Sequence, residues 1–96
     1  MYLKIHRSGE NVIVAVCDKD LIGKTLKEGN LSVTISEEFY KGDLVSEEEL
    51  RNTLLDAGNV NIFGEKSVSC AIDCGAVDKD CVRFIDGVAH AQVFRI

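Results

Sequence analysis

Asn59 to Gly75 (NVNIFGEKSVSCAIDCG) constrains the fold of this chain more than any other stretch. Val60 and Ile62 alternate with asparagines as in a short strand, and Gly64 supplies a turn. Glu65 to Cys74 then carries Val68, Ala71 and Ile72 at helical spacing. A strand that feeds directly into a helix needs a sheet for that helix to pack on, so the flanking sequence has to supply one. The helix start also has chemistry. Its first amides lack partners within the helix, and Gly64, Glu65, Lys66 and Ser67 add an ammonium and a hydroxyl at the positive end of the dipole. That combination suits an anion.

The sheet is supplied from both sides. Tyr2 to Arg7 alternates, with Leu3 and Ile5 on one face and Tyr2, Lys4 and His6 on the other, which predicts an edge strand. Ser8-Gly9-Glu10-Asn11 carries turn chemistry, and Val12 to Cys17 is apolar on both faces, which predicts a buried central strand paired with the first as a hairpin. Asp18 to Lys27 shows no clear period beyond one helical turn opened by Asp18 or Asp20 and closed at Gly23. Glu28-Gly29-Asn30 marks a turn, and Leu31, Val33 and Ile35 alternate as a third, half-buried strand. Phe39 to Asp43 reads as a structured loop in which Phe39 plugs the core.

Ser46 and Glu49 form a capping box, Val45 and Leu50 occupy its staple positions, and Leu50, Leu54 and Ala57 give a helix stripe ending at Gly58. Asp86-Gly87 is a two-residue hairpin signal between strands 81–85 and 88–94. Strand 60–63, helix 65–74 and strand 81–85 then form a β-α-β unit, whose strands run parallel with a right-handed crossover if they share a sheet. The expected architecture is one small domain over residues 1–96, α+β or α/β. It has a mixed sheet of five to six strands, two main helices, an N-terminal hairpin, the central β-α-β unit and a C-terminal hairpin.

Charge narrows the function classes. The net charge of −5 lies in one place: Glu37 to Glu49 holds six acids and one base, while the rest of the chain balances ten acids with ten bases. A neutral or basic binding face elsewhere is therefore compatible with the acidity. The N-terminus lacks the apolar core of a signal peptide, and no apolar run approaches the ~20 residues of a membrane span, so a cytoplasmic protein with reduced thiols is expected.

Several constellations fail on chemistry. Gly23-Lys24-Thr25 follows a buried strand as a phosphate-binding loop does, but the first glycine of that pattern falls on Asp18, and an acid there repels phosphate. Gly64-Glu65-Lys66-Ser67 interrupts the same pattern with a glutamate. Cys70 and Cys74 lie one helical turn apart and Cys81 follows, but this is not the turn-centred spacing of structural zinc sites, and no metal is expected. Nothing local identifies a nucleophile and its orienting acid. His90, Gln92 and Phe94 share one strand face, where a histidine, an amide and a ring are placed to stack on a base and read its edge.

Tyr40-Lys41-Gly42, Asn61-Ile62-Phe63-Gly64-Glu65-Lys66-Ser67-Val68 and Gly87-Val88-Ala89-His90-Ala91-Gln92 occur in this order after Tyr2-Leu3-Lys4-Ile5-His6 and Ala15-Val16-Cys17-Asp18. Together they resemble the small archaeal family known as domain of unknown function 424. The likeness extends over nearly the whole chain and is most specific in the Asn61 to Val68 segment; Cys70, Cys74 and Cys81 lie outside it. The resemblance implies an archaeal, cytoplasmic, free-standing domain with an RNA-binding role; the leading expectation places that role near translation or RNA processing, and no cofactor is expected. On that expectation Lys66, Ser67 and the amides of Gly64 and Glu65 hold a phosphate or sugar edge, next to Asn61 on the preceding strand. His90 and Gln92 contact a base or backbone, and Tyr40 and Lys41 extend the surface. A second reading is a protein-interaction module whose acidic face, Glu37 to Glu49, docks on a basic protein. A third is a small enzyme with His90 and Glu65 as acid and base, which requires the two to converge in one pocket.

Overall fold

The computed structural model describes residues 1–95. Its organising element is β2 (Asn11–Cys17), whose Val14, Ala15, Val16 and Cys17 are all buried because both faces of this strand are covered. On one side β2 pairs antiparallel with β1 (Tyr2–Ser8), Leu3 opposite Val16 and Ile5 opposite Val14, as the hairpin reading requires. On the other side it pairs in parallel with β6 (Asn59–Phe63), Val16 opposite Ile62. The remaining strands are β3 (Thr25–Glu28), β4 (Leu31–Thr34), β5 (Asp43–Leu44), β7 (Arg83–Ile85) and β8 (Val88–Phe94). Of the eight described strands, six form a mixed sheet in the order β5-β1-β2-β6-β8-β7, and β3 with β4 makes a separate two-stranded sheet. The class is α+β.

Three points of the sequence reading change. The β-α-β unit exists in direction, but β8 lies between β6 and β7 and is antiparallel to both, so the parallel contact of the sheet is β2 with β6. The outermost position belongs to the two-residue β5, which pairs with Tyr2 and Leu3 of β1. The segment after Asp18 holds a 3-10 turn at Lys19–Leu21 and then β3, whose only buried residue, Leu26, gives too short a pattern to read as a strand.

The helices are α1 (Glu37–Tyr40), α2 (Glu47–Asp56) and α3 (Glu65–Asp73). The expected loop around Phe39 is the short α1, started by Ser36, whose Oγ accepts the Phe39 amide at 3.2 Å. The capping box at α2 is complete, with Ser46 Oγ accepting the Glu49 amide and Glu49 accepting the Ser46 amide. At its other end, Arg95 beyond β8 donates from Nη1 to the carbonyls of Leu54 and Leu55, satisfying acceptors a helix leaves open. No helix among the described residues is long and apolar enough to cross a membrane.

Strand alternation divides the core in two. On one sheet face Leu3, Val14, Val16, Val60, Ile62, Ala91 and Val93 pack under Leu50 and Leu54 of α2 and Val68 and Ala71 of α3. On the other, Ala15, Cys17, Phe63 and Ile85 pack under Leu21, Leu26, Ile35 and Tyr40, contributed by α1, the β3–β4 hairpin and the segments beside them. This second cover extends over only part of its face, and the uncovered part carries the candidate site.

Gly42 is where the chain after α1 crosses β1. A Cβ at this position would overlap the Leu3 carbonyl and the Lys4 backbone, groups that cannot rotate away. Gly42→Ala is expected to destabilise the fold by about 3 kcal/mol or more. Gly9→Ala, in an open hairpin turn, is expected to cost about 1 kcal/mol for its positive φ alone. Urea unfolding midpoints of the two variants check the difference.

Candidate functional site

The helix start identified in the sequence already holds an anion, and it is the chain's own. Asp18, the residue after β2, donates its amide to the Phe63 carbonyl at 3.0 Å, which brings its carboxylate to the start of α3. There Oδ2 accepts the Lys66 amide at 3.0 Å, and Oδ1 accepts the Ser67 amide at 2.8 Å and the Ser67 hydroxyl at 2.7 Å. Ser67 is fully buried and Asp18 nearly so. Gly64 makes room for this contact: it turns with φ of +112°, and a Cβ there would overlap the Asp18 carboxylate. Its amide is taken by the Ala89 carbonyl at 2.8 Å. Of the four residues expected to face an external anion, Ser67 thus leaves the surface and the amides of Gly64, Lys66 and Ser67 are engaged. The Glu65 and Lys66 side chains remain exposed.

Across the adjoining sheet face runs a chain of five rings. His6 stacks on Phe39 with ring centres 4.4 Å apart, Phe39 meets Tyr40 edge-on at 5.0 Å, Tyr40 meets Phe63 edge-on at 5.8 Å, and Phe63 stacks on His90 at 4.2 Å. Tyr40 is therefore a core residue at 6% exposure rather than part of a surface, and burial, then the nearby Cys17, pushes its hydroxyl up to about 12. Lys41 is exposed and pairs with Glu37 at 4.0 Å. The neighbouring acids have structural work: Glu37 and Glu38 occupy the first turn of α1, and Glu47, Glu48 and Glu49 that of α2, where negative charge offsets the helix dipole.

The histidines at the two ends of the ring chain are both anchored to backbone. His6 Nε2 donates to the Phe39 carbonyl at 2.8 Å, and His90 Nδ1 donates to the Ile62 carbonyl at 3.0 Å. A carbonyl only accepts, so in neutral His90 the proton sits on Nδ1 and Nε2 is left as an acceptor. Burial lowers the His90 pKa below its ordinary value, aided by the Arg83 charge and opposed by the Ile62 hydrogen bond.

Beyond the rings the same face is open. Register places Asn61 opposite Gln92, Asn59 opposite Phe94 and Arg83 opposite His90, so six side chains from β6, β8 and β7 share one surface. Phe94 is 69% exposed, Gln92 and Arg83 are exposed, and the shielded Asn59 Oδ1 has no hydrogen-bond partner among the described residues. Cys81, Arg83, His90 and Gln92 border a depression of about 260 Å³. The structure thus brings together Asn61, His90 and Gln92 from the sequence-predicted set. Arg83 is an addition that sequence arithmetic would have supplied: a two-residue turn at Asp86-Gly87 fixes position 83 opposite position 90. Glu65 and His90 line separate concavities, so the arrangement does not join them as an acid–base pair. Among the described residues the four cysteines are free thiols, and no three metal-ligating side chains cluster.

The family described as "Protein of unknown function (DUF424)" matches residues 6–96. The chain belongs to that family. The fold of this DUF424 chain is similar to the crystal structure of an uncharacterized conserved protein from Methanopyrus kandleri, at 30% identity and a TM-score of 0.81. That likeness covers 99% of this chain and 93% of the other. No curated protein matches the DUF424 chain.

Two expected outcomes follow from the geometry. Asp18→Ala strands three donors, two of them shielded, and should cost about 3 kcal/mol, with Asp18→Asn milder because the amide keeps one acceptor; urea titration measures both. His90 has a folded pKa below its unfolded value of about 6.5. Its contribution is present above that pH and lost as pH falls through the folded value, because the unfolded chain binds the proton more readily. His90→Asn, which retains a side-chain donor for Ile62, should flatten the decline of the unfolding midpoint between pH 7 and pH 5.

Proposed function

We propose that this DUF424 chain is an RNA-binding domain that holds a short single strand on the open half of its sheet. The observation that carries the reading is the exposed Phe94 ring on a face shared with the Asn61 and Gln92 amides and the Arg83 guanidinium. An exposed ring stacks on a base, carboxamides supply both donor and acceptor to base edges, and a guanidinium meets phosphate. His90 Nε2 adds an acceptor suited to a ribose hydroxyl or an exocyclic amine. The ring chain from Phe39 to Phe63 bounds the surface on one side.

Few cations border this face, and the excess of acids over bases lies between Glu37 and Glu49. Affinity therefore rests on stacking and hydrogen bonds more than on counterion release, which distinguishes this domain from a basic, salt-driven binder. Neutral His90 suits that balance.

Fluorescence anisotropy with unstructured and duplex RNA across a salt series tests the reading. Preference for the single strand is expected, with a log–log salt slope of about −1.5, equivalent to roughly two phosphates. Phe94→Ala should weaken binding about ten-fold through the lost stack. Arg83→Ala should flatten the slope by about 0.7, one phosphate contact. Lys66→Ala tests whether the footprint continues to the start of α3, as the sequence suggests; unchanged affinity confines it to the sheet. No binding at low salt, or binding indifferent to Phe94→Ala, overturns the proposal.

A further inference from the structure

A second concavity lies away from the open sheet face, between α3 and the β7–β8 hairpin. Its volume of about 560 Å³ is in the range of small-molecule sites. Val68 and Ile72 of α3 form one wall, and Val82, Phe84 and Val88 line the other side. Phe84 pairs with Ala89 on the sheet face that α2 and α3 cover elsewhere, yet it is 64% exposed. The cleft opens at the carboxyl ends of the parallel strands β2 and β6, where Asp18 and Gly64 follow; open sheets with parallel strands recurrently bind ligands at that end.

The charge around the cleft selects the ligand. Asp18, Asp20 and Glu65 line it against a single cation, Lys79. Asp18 is spent on Lys66 and Ser67, but Asp20 and Glu65 are exposed and have no ion-pair partner within 4.0 Å among the described residues. The start of α3 would ordinarily favour an anion, but its Gly64, Lys66 and Ser67 amides are already satisfied internally. What remains is an apolar pocket with an exposed aromatic wall and two uncommitted carboxylates at its rim.

We infer that this cleft is a binding site for a small organic cation, a primary amine on an apolar or aromatic stem. The stem fills the space between Ile72 and Phe84, and the ammonium lies between the Asp20 and Glu65 carboxylates, with the Phe84 face as a further electrostatic partner. A free small molecule fits a concavity of this size better than a flat protein surface does.

The test is a titration of isotope-labelled protein with 2-phenylethylamine and with 2-phenylethanol, followed by amide chemical shifts. The amine is expected to saturate with a dissociation constant of about 1 mM, a value set by its size, and to perturb Glu65, Ser69, Phe84, Gly87 and Val88. It should bind about ten-fold more tightly than the alcohol, the combined effect of two exposed ion pairs and one cation–π contact. The double variant Asp20→Asn/Glu65→Gln, whose spectrum itself reports the fold, should remove that preference and leave the alcohol unaffected. Phe94→Ala should leave the amine affinity unchanged, which separates this site from the RNA surface. Equal binding of amine and alcohol, a preference retained in the double variant, perturbations centred outside the cleft, or no saturation would each overturn the inference.

Discussion

The Asp18 carboxylate joins the three elements on which the rest of the fold depends. It ends β2, is tied through its amide to the end of β6, and accepts three hydrogen bonds from the first turn of α3. Each is a bond to a charged acceptor, and the two from Ser67 lie in a shielded place, where such bonds are stronger than neutral ones. A helix start normally presents unpaired amides and a positive field. Here both are neutralised from a neighbouring strand, so the orientation of α3 is set by the same group that marks the end of β2. Gly64 is required because any larger residue would occupy the volume of that carboxylate.

With α3 held in this way, the two sheet faces acquire different fates. One lies under α2 and α3 along most of its length. The other receives only α1, the β3–β4 hairpin and their flanking segments, which together are too small to cover six strands. The five-ring chain forms the boundary of that partial cover, with histidines where aromatic packing meets open sheet. Anchoring of each imidazole to a carbonyl keeps the boundary residues fixed while leaving one ring nitrogen of each without that partner.

What was legible in the sequence was what local rules determine. The two-faced apolar run at Val12 to Cys17, the Ser46–Glu49 capping box and the Asp86-Gly87 turn each depend on residues a few positions apart, and each element is present in the structure. The resemblance to the DUF424 family was carried by short motifs of the same kind. The β2–β6 parallel pairing joins residues 46 positions apart in sequence, Val14 with Val60, and no local pattern encodes it. The same holds for Asp18 and Ser67, which is why an acid that disqualified a phosphate loop was not recognised as the ligand of the other helix start. Tyr40 was misplaced because α1 is a single turn, too short to show a period, and its ring is drawn inward by Phe63. Of the candidate surface, His90 and Gln92 were readable from the two-residue strand period, whereas Asn61 joins them only through the β6–β8 register.

The position of β8 has a consequence for assembly. It follows every other strand in sequence yet lies inside the sheet, between β6 and β7, and Arg95 just beyond it closes the open end of α2. A chain emerging from the ribosome therefore holds β6 with one edge unpaired and α2 with carbonyls unmet until this segment is free. Folding must wait for it, because long-range pairing of this kind rewards the chain only after the loop closes. During that interval β6 is an exposed template for strand addition, and Asn59 and Asn61, which place amides on an otherwise apolar strand, lower its affinity for the wrong partner.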